Sequence, residues 1–219
     1  RDYTYISFCS LKKFFEPTLD VAREILLHPA FPEREFNIYC QKRKQSLTIE
    51  RQKVDMQSRE MFAEALFGSN HPYGISTPEE AYDDLTTDDL REHYDGLYTA
   101  ENSFVVCSGN IDDRVYNHIA DLASELRTGT SIDIKFPKPT TTHYIERNID
   151  SALQSSVRVG RLLFPRTHPD FVGMQVVAAI LGGYFGSRLM QNLREEHGYT
   201  YGVMAAMVNF EHEGYLAIA

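Results

Sequence analysis

The sequence predicts an α+β fold, a largely antiparallel sheet backed by helices, and three observations carry that prediction. Segments rich in aromatic and β-branched residues, such as Tyr3–Ser10 and Phe104–Ser108, are separated by stretches of helical periodicity. No Gly or Pro interrupts residues 33–66, so a long helix has room to form. Near the C-terminus, Asn209 to Gly214 reads as a hairpin return between two apolar segments. Strands set among helix pairs in this way belong to α+β architectures.

Each element follows in order. Residues 3–10 are rich in strand-forming types and alternate in part, so a strand is expected almost at the first residue, as if the chain began inside a fold. Leu19, Ala22, Ile25, Leu26 and Leu27 have helical spacing that ends at His28-Pro29, because proline disfavours helix in the residue before it. The long helix from Glu33 to about Leu66 carries an intermittent apolar stripe through Phe36, Cys40, Leu47, Val54 and Met61, with a bend expected around Asp55. Thr77-Pro78-Glu79-Glu80 and Thr87-Asp88-Asp89 start two further helices, the second running to Tyr98. Residues 104–108 form a short buried strand, and Asp112–Leu126 a helix with Val115, Ile119, Leu122 and Leu126 inward. Gly, Pro, Ser and Thr crowd around Phe136-Pro137-Lys138-Pro139, which marks 128–142 as a linker between a first part, 1–127, and a C-terminal part, 143–219. Strands near 142–147 and 153–163, a helix over 170–181, a second helix, and strands near 199–210 and 213–219 complete the C-terminal part.

Composition excludes several classes. With 219 residues and 42% hydrophobic content the chain can bury a real core, as one large domain or two small ones. No run approaches the ~20 apolar residues of a membrane span, and Arg1 begins no apolar leader. A formal charge of −9, with acidic and basic residues mixed, argues against nucleic-acid binding, and the basic run 41–45 reads as a solvated helix face. Cys9, Cys40 and Cys107 lack C-x-x-C spacing and lie in apolar-patterned segments, so they read as buried free thiols. The compartment stays open between periplasm and cytoplasm.

The richest chemistry lies in residues 182–202. Gly182, Gly183 and Gly186 give a flexible loop, and Ser187 is placed to cap a helix whose apolar face carries Leu189, Met190 and Leu193. Gly198 ends that helix. Arg194 offers a planar fork of donors near the helix end, and Tyr201 offers a phenol as an extended segment begins. Both suit a peptide backbone or carboxylate. The same residues also fit a plain loop-helix-strand junction with a surface Arg and a core Tyr.

The string from Leu181-Gly182-Gly183 through Ser187-Arg188-Leu189 to Leu193-Arg194-Glu195, Gly198 and Tyr201 resembles the C-terminal part of a repeat in the pitrilysin/insulinase family of zinc metallopeptidases. Three further landmarks stand in the family's order: His28–Phe36 before the long helix, the Asn70-His71-Pro72-Tyr73-Gly74 loop, and Asn102–Asp112. The resemblance covers residues 28–202. It implies one repeat of a two-repeat clam-shell, lacking that repeat's first strands and last elements.

Active repeats of the family carry H-x-x-E-H on one helix, which places two histidines on one face with a glutamate to activate water. None of the eight histidines here has that spacing. The family's third ligand, a glutamate, falls by register at Ser46, whose hydroxyl is a poor replacement for carboxylate; Glu50, one turn later on the same face, is the weak alternative. The resemblance therefore implies the degenerate repeat: no catalytic residue and no metal ligand in this chain, with zinc held by a homologous partner repeat or subunit. Family members of this kind reach the substrate backbone with an Arg and a Tyr, and Arg194 and Tyr201 match those positions. The implied role is the inactive half of a zinc metalloendopeptidase, supplying chamber wall and contacts to peptide substrates. Two alternatives stay open: a structural core-type subunit without proteolytic role, and an active repeat whose H-x-x-E-H lies upstream of Arg1.

Overall fold

The structure, a computed structural model, describes residues 3–132 and 134–219. Its helices are α1 (Phe15–Leu27), α2 (Glu33–Arg51), α3 (Val54–Phe67), α4 (Ala81–Asp84), α5 (Thr87–Leu97), α6 (Asp113–Ser124) and α7 (Phe171–Ala178). Strands β1 (Val159–Leu163), β2 (Ala205–Asn209) and β3 (Gly214–Ile218) form an antiparallel sheet in the order β1-β3-β2. The expected α+β class is the observed one. Among the described residues no helix is long and apolar enough to cross a membrane.

The chain divides into two compact units, one holding Tyr3, Thr4, 48–77 and 136–219, the other 5–47 and 78–135. In the first unit β3 is central, with Gly214 opposite both Leu163 and Asn209 and Ile218 opposite both Val159 and Ala205. The anticipated hairpin closes β2 onto β3, where Phe210 N–H donates to the Glu213 carbonyl at 2.8 Å. Helix α3 brings Leu66 and Phe67 to a core completed by Tyr73, Phe136, Leu162, Phe210 and Tyr215. Phe67 is 1% exposed. Its ring is stacked on His71 (5.1 Å between centroids) and meets Tyr73, Phe210 and Tyr215 edge-on. Such aromatic pairs add about 0.5–1.5 kcal/mol each beyond area burial, so this cluster is the unit's main anchor. At its start α3 is tied down by Arg158, which pairs with Asp55 and donates to Ser58 Oγ at 2.9 Å.

The second unit leans on polar links around a thinner core of Ala22, Cys40, Leu47, Val115 and Leu122. Asp112 caps α6 by accepting from Val115 N–H at 3.0 Å, and Lys12 beside it, 2.8 Å away, holds its carboxyl below the usual range. Thr86 and Asp89 form a reciprocal capping box on α5. The Tyr94 hydroxyl donates to the Leu26 carbonyl at 2.6 Å, and the Arg127 guanidinium lies 4.6 Å over the Tyr94 ring.

Several expected elements differ. The long helix is two helices, α2 and α3, broken at Gln52-Lys53; Gln57 Nε2 donates to the Arg51 carbonyl at 2.8 Å and supplies the partner that α2's end lacks. Residues 3–10 and 104–108 are not strands, and Phe104 and Val106 are exposed. An apolar β-branched run becomes a strand only when a ladder partner lies alongside. Residues 142–147 are not a strand either. Thr140 N–H and Thr142 N–H donate to the Phe67 and Ala65 carbonyls at 3.0 and 2.7 Å, so this backbone satisfies the C-terminal carbonyls of α3 instead of a sheet. The strand expected over 153–163 contracts to β1. Of the cysteines only Cys40 is buried; Cys9 and Cys107 are exposed, because the segments that carry them are not sandwiched in a sheet.

Candidate functional site

The loop after α7 owes its path to a close approach. Helix α7 continues as a π turn over Ala179–Gly183, and the chain then passes against β2. A Cβ on Gly182 would stand 2.4 Å from the Ala205 nitrogen and 2.8 Å from its Cβ, so only glycine fits there. Ser187 N–H closes the loop onto the Tyr184 carbonyl at 3.0 Å, and the Ser187 carbonyl accepts from Gln191 N–H at 2.9 Å. The expected side-chain cap is not made: Ser187 is fully buried and its Oγ has no partner among the described residues. The backbone turn, fixed by the loop's contact with β2, sets the helix entry in its place.

The following helix is π-type over Met190–Glu196 and ends at Gly198, whose φ of +64° is left-handed. Tyr199 N–H returns to the Leu193 carbonyl at 2.9 Å and closes the terminus. Val203 N–H reaches Met190 Sδ at 3.4 Å, which holds the chain leaving the helix against the helix itself. Wide π turns are uncommon and recur at functional sites; here two flank one glycine loop.

Arg194 sits near this helix end with its guanidinium 4.5 Å over the Phe185 ring, and its Nε is 3.6 Å from Glu195 Oε1. The cation–π contact fixes the fork while the carboxylate neutralises it only loosely. Tyr201 is 93% exposed and lies in a bend before β2 starts at Ala205. No hydrogen bond or ring contact joins Arg194 to Tyr201; what Arg194 touches is the glycine loop. The reading of Tyr201 as a core residue is therefore set aside. Phe185 is the residue that sequence reasoning passed over. Its signal was an aromatic ring set between Gly183 and Gly186, where a flexible surface loop has no need of one. Tyr184, Tyr199 and Met204, from the same stretch of chain, are exposed as well.

The expected metal positions are elsewhere. Ser46 and Glu50 lie on α2, and among the described residues no three His, Cys, Asp or Glu side chains are grouped to hold a metal ion. His71, which the sequence placed in a landmark loop, is 2% exposed and packed in the aromatic core; its Nδ1 accepts from Tyr73 N–H at 3.1 Å. The donor set of the described residues does not fit zinc.

Residues 84–219 match the family profile described as "Peptidase M16 inactive domain". The chain is 24% identical over 226 residues to the "Uncharacterized zinc protease YmxG" of Bacillus subtilis (strain 168), covering all of this chain and 53% of that protein. It is 28% identical over 169 residues to the "Uncharacterized zinc protease ML0855" of Mycobacterium leprae (strain TN), covering 73% and 37%. It shares its fold with the peptidase M16 inactive domain from Pseudomonas fluorescens (TM-score 0.81, 22% identity, 95% of this chain and 52% of that one). A protease from Helicobacter pylori is similar too (TM-score 0.78, 15% identity, 95% and 52%). The chain spans about half the length of the Bacillus relative and of both structures.

Proposed function

The chain belongs to the peptidase M16 inactive-domain family, and from that premise we propose that it forms the metal-free wall of a peptidase chamber and holds peptide substrates through Arg194 and Tyr201. The observation that carries this reading is the state of Arg194. Its guanidinium is braced on Phe185 of the glycine loop and only loosely paired, and seven residues on Tyr201 extends a free phenol into solvent. A braced, under-neutralised fork and an exposed hydroxyl suit a carboxylate or peptide carbonyl. Holding the peptide in register contributes by positioning, and donors aimed at its carbonyl oxygens stabilise charge that develops there.

A zinc-bearing homologous repeat or subunit supplies the hydrolytic chemistry in this reading, because the described donors of this chain do not form such a site. Helix α7 supports the need for that partner: Gln175 is its one polar side chain, yet its Val172, Val176 and Val177, and Ile180 in the turn after it, are exposed. A helix hydrophobic all round is ordinarily covered. Peptides small enough to enter are the substrates.

In the complete protein, Arg194→Ala and Tyr201→Phe are each expected to lower peptidase kcat/KM while zinc content and melting temperature stay at the wild-type level. One charge-assisted contact is worth about 1.5–3 kcal/mol, so the Arg194→Ala loss is about ten- to a hundredfold. A zinc-loaded Arg194→Ala protein that cleaves peptides at the wild-type rate removes the substrate role and leaves the scaffold reading.

A further inference from the structure

We propose that the first unit binds a zwitterionic ligand, a free α-amino acid or a short peptide with both termini unblocked, in the cavity between α3 and the loop after it. The cavity measures about 310 Å³, the lower end of the range for small-molecule sites. Helix α3 lines it with Gln57, Glu60, Met61 and Glu64, which at i, i+3, i+4 and i+7 share one face. Ile75 closes the loop side, and Arg147 lines it from the segment beyond the Thr140–Thr142 backbone contacts.

The charges divide into two kinds. Glu60 is committed: its Oε1 accepts from Arg51 Nη2 at 3.1 Å and from Ser76 Oγ at 3.0 Å, which makes it a fixed wall. Glu64 and Arg147 are uncommitted. Neither side chain has an ion pair or hydrogen bond among the described residues, and although both line the same cavity no ion pair joins them. Opposite charges that face one cavity without meeting leave two poles that a single ligand can bridge. A guanidinium fork takes a carboxylate with two parallel hydrogen bonds, and a carboxylate takes the donors of an ammonium. Met61 and Ile75 supply apolar surface for a side chain between the poles. A purely anionic or purely cationic ligand satisfies one pole and leaves the other bare. The site shares no residue with Arg194 or Tyr201, so it stands whether or not those two hold substrate.

The test is an amide chemical-shift titration of the full chain with the dipeptide leucyl-alanine, repeated with its N-acetyl and C-amide forms. Saturable shifts in residues 57–64 and 74–76 at millimolar dipeptide are expected, with affinity falling about tenfold or more for each blocked form and in each of Arg147→Gln and Glu64→Gln. Both substituted side chains are exposed, and a circular-dichroism melt verifies each fold; if one variant fails to fold, the other and the blocked dipeptides decide. The proposal is overturned if the free dipeptide gives no saturable shifts, if blocked and free forms bind equally, or if the folded variants bind undiminished.

Discussion

Two loops of the first unit, at residues 70–74 and 182–187, both combine glycine with aromatic residues, yet one is interior and the other surface. His71 and Tyr73 are enclosed by Phe67, Phe136, Phe210 and Tyr215, with Tyr73 and Phe210 stacked at 3.9 Å. Tyr184 and Phe185 are exposed, and the Phe185 ring carries the Arg194 guanidinium. The difference lies in what else converges on each loop. Four rings from α3, the 136 segment and the β2–β3 hairpin meet the first, whereas the second presents a bare backbone, at Gly182, to the sheet and turns its rings away. A family landmark in sequence can thus be a packing device or an exposed surface. Its position among other side chains decides which.

The contrast breaks most easily by truncating one ring in each loop's surroundings. Phe67→Ala is expected to destabilise the first unit by about 3–5 kcal/mol, the usual cost of emptying a packed aromatic site, while Phe185→Ala costs under ~1 kcal/mol. Urea midpoints of the two variants measure this directly, and equal shifts would mean the second loop is as deeply structural as the first.

A smaller effect separates the backbone of the second loop from its side chains. Gly182→Ala drives a methyl group into Ala205 and is expected to cost about 1–3 kcal/mol, with the amide signals of β2 displaced. Gly186→Ala meets only the ring of exposed Tyr184, at 3.0 Å, and is expected to stay within ~0.5 kcal/mol. A neutral Gly182→Ala would show that the loop does not depend on its contact with β2.

The smallest expected effect is a pH dependence confined to the buried cluster. Burial pushes the Tyr215 phenol above its ordinary value near 10, against a weaker opposite pull from Arg158 and Arg59. A phenol whose folded pKa is raised ionises first in the unfolded chain. Its contribution to stability is therefore complete below the unfolded pKa of ~10 and is lost as pH rises through the folded one. Denaturant midpoints followed through that alkaline range are expected to fall more steeply for wild type than for Tyr215→Phe; parallel curves would count against a buried phenol.

Sequence by itself determined the fold class, the helices α1, α5 and α6 to within a few residues, the hairpin closing β2 onto β3, and the helix stop at Gly198, because each rests on local periodicity, capping or turn chemistry. It also carried the family, through short ordered motifs. Tertiary structure decided what local rules cannot reach. Residues 104–108 have strand composition without a strand ladder, and the 140–142 backbone serves the end of α3, because hydrogen-bond partners distant in sequence settle those outcomes. The same holds at the site. Phe185 beneath Arg194 and the unpaired charges of Glu64 and Arg147 in one cavity are meetings of residues 9 and 83 positions apart, by subtraction of their numbers. Burial and charge pairing depend on which distant groups are close in space, and no periodicity along the chain encodes that.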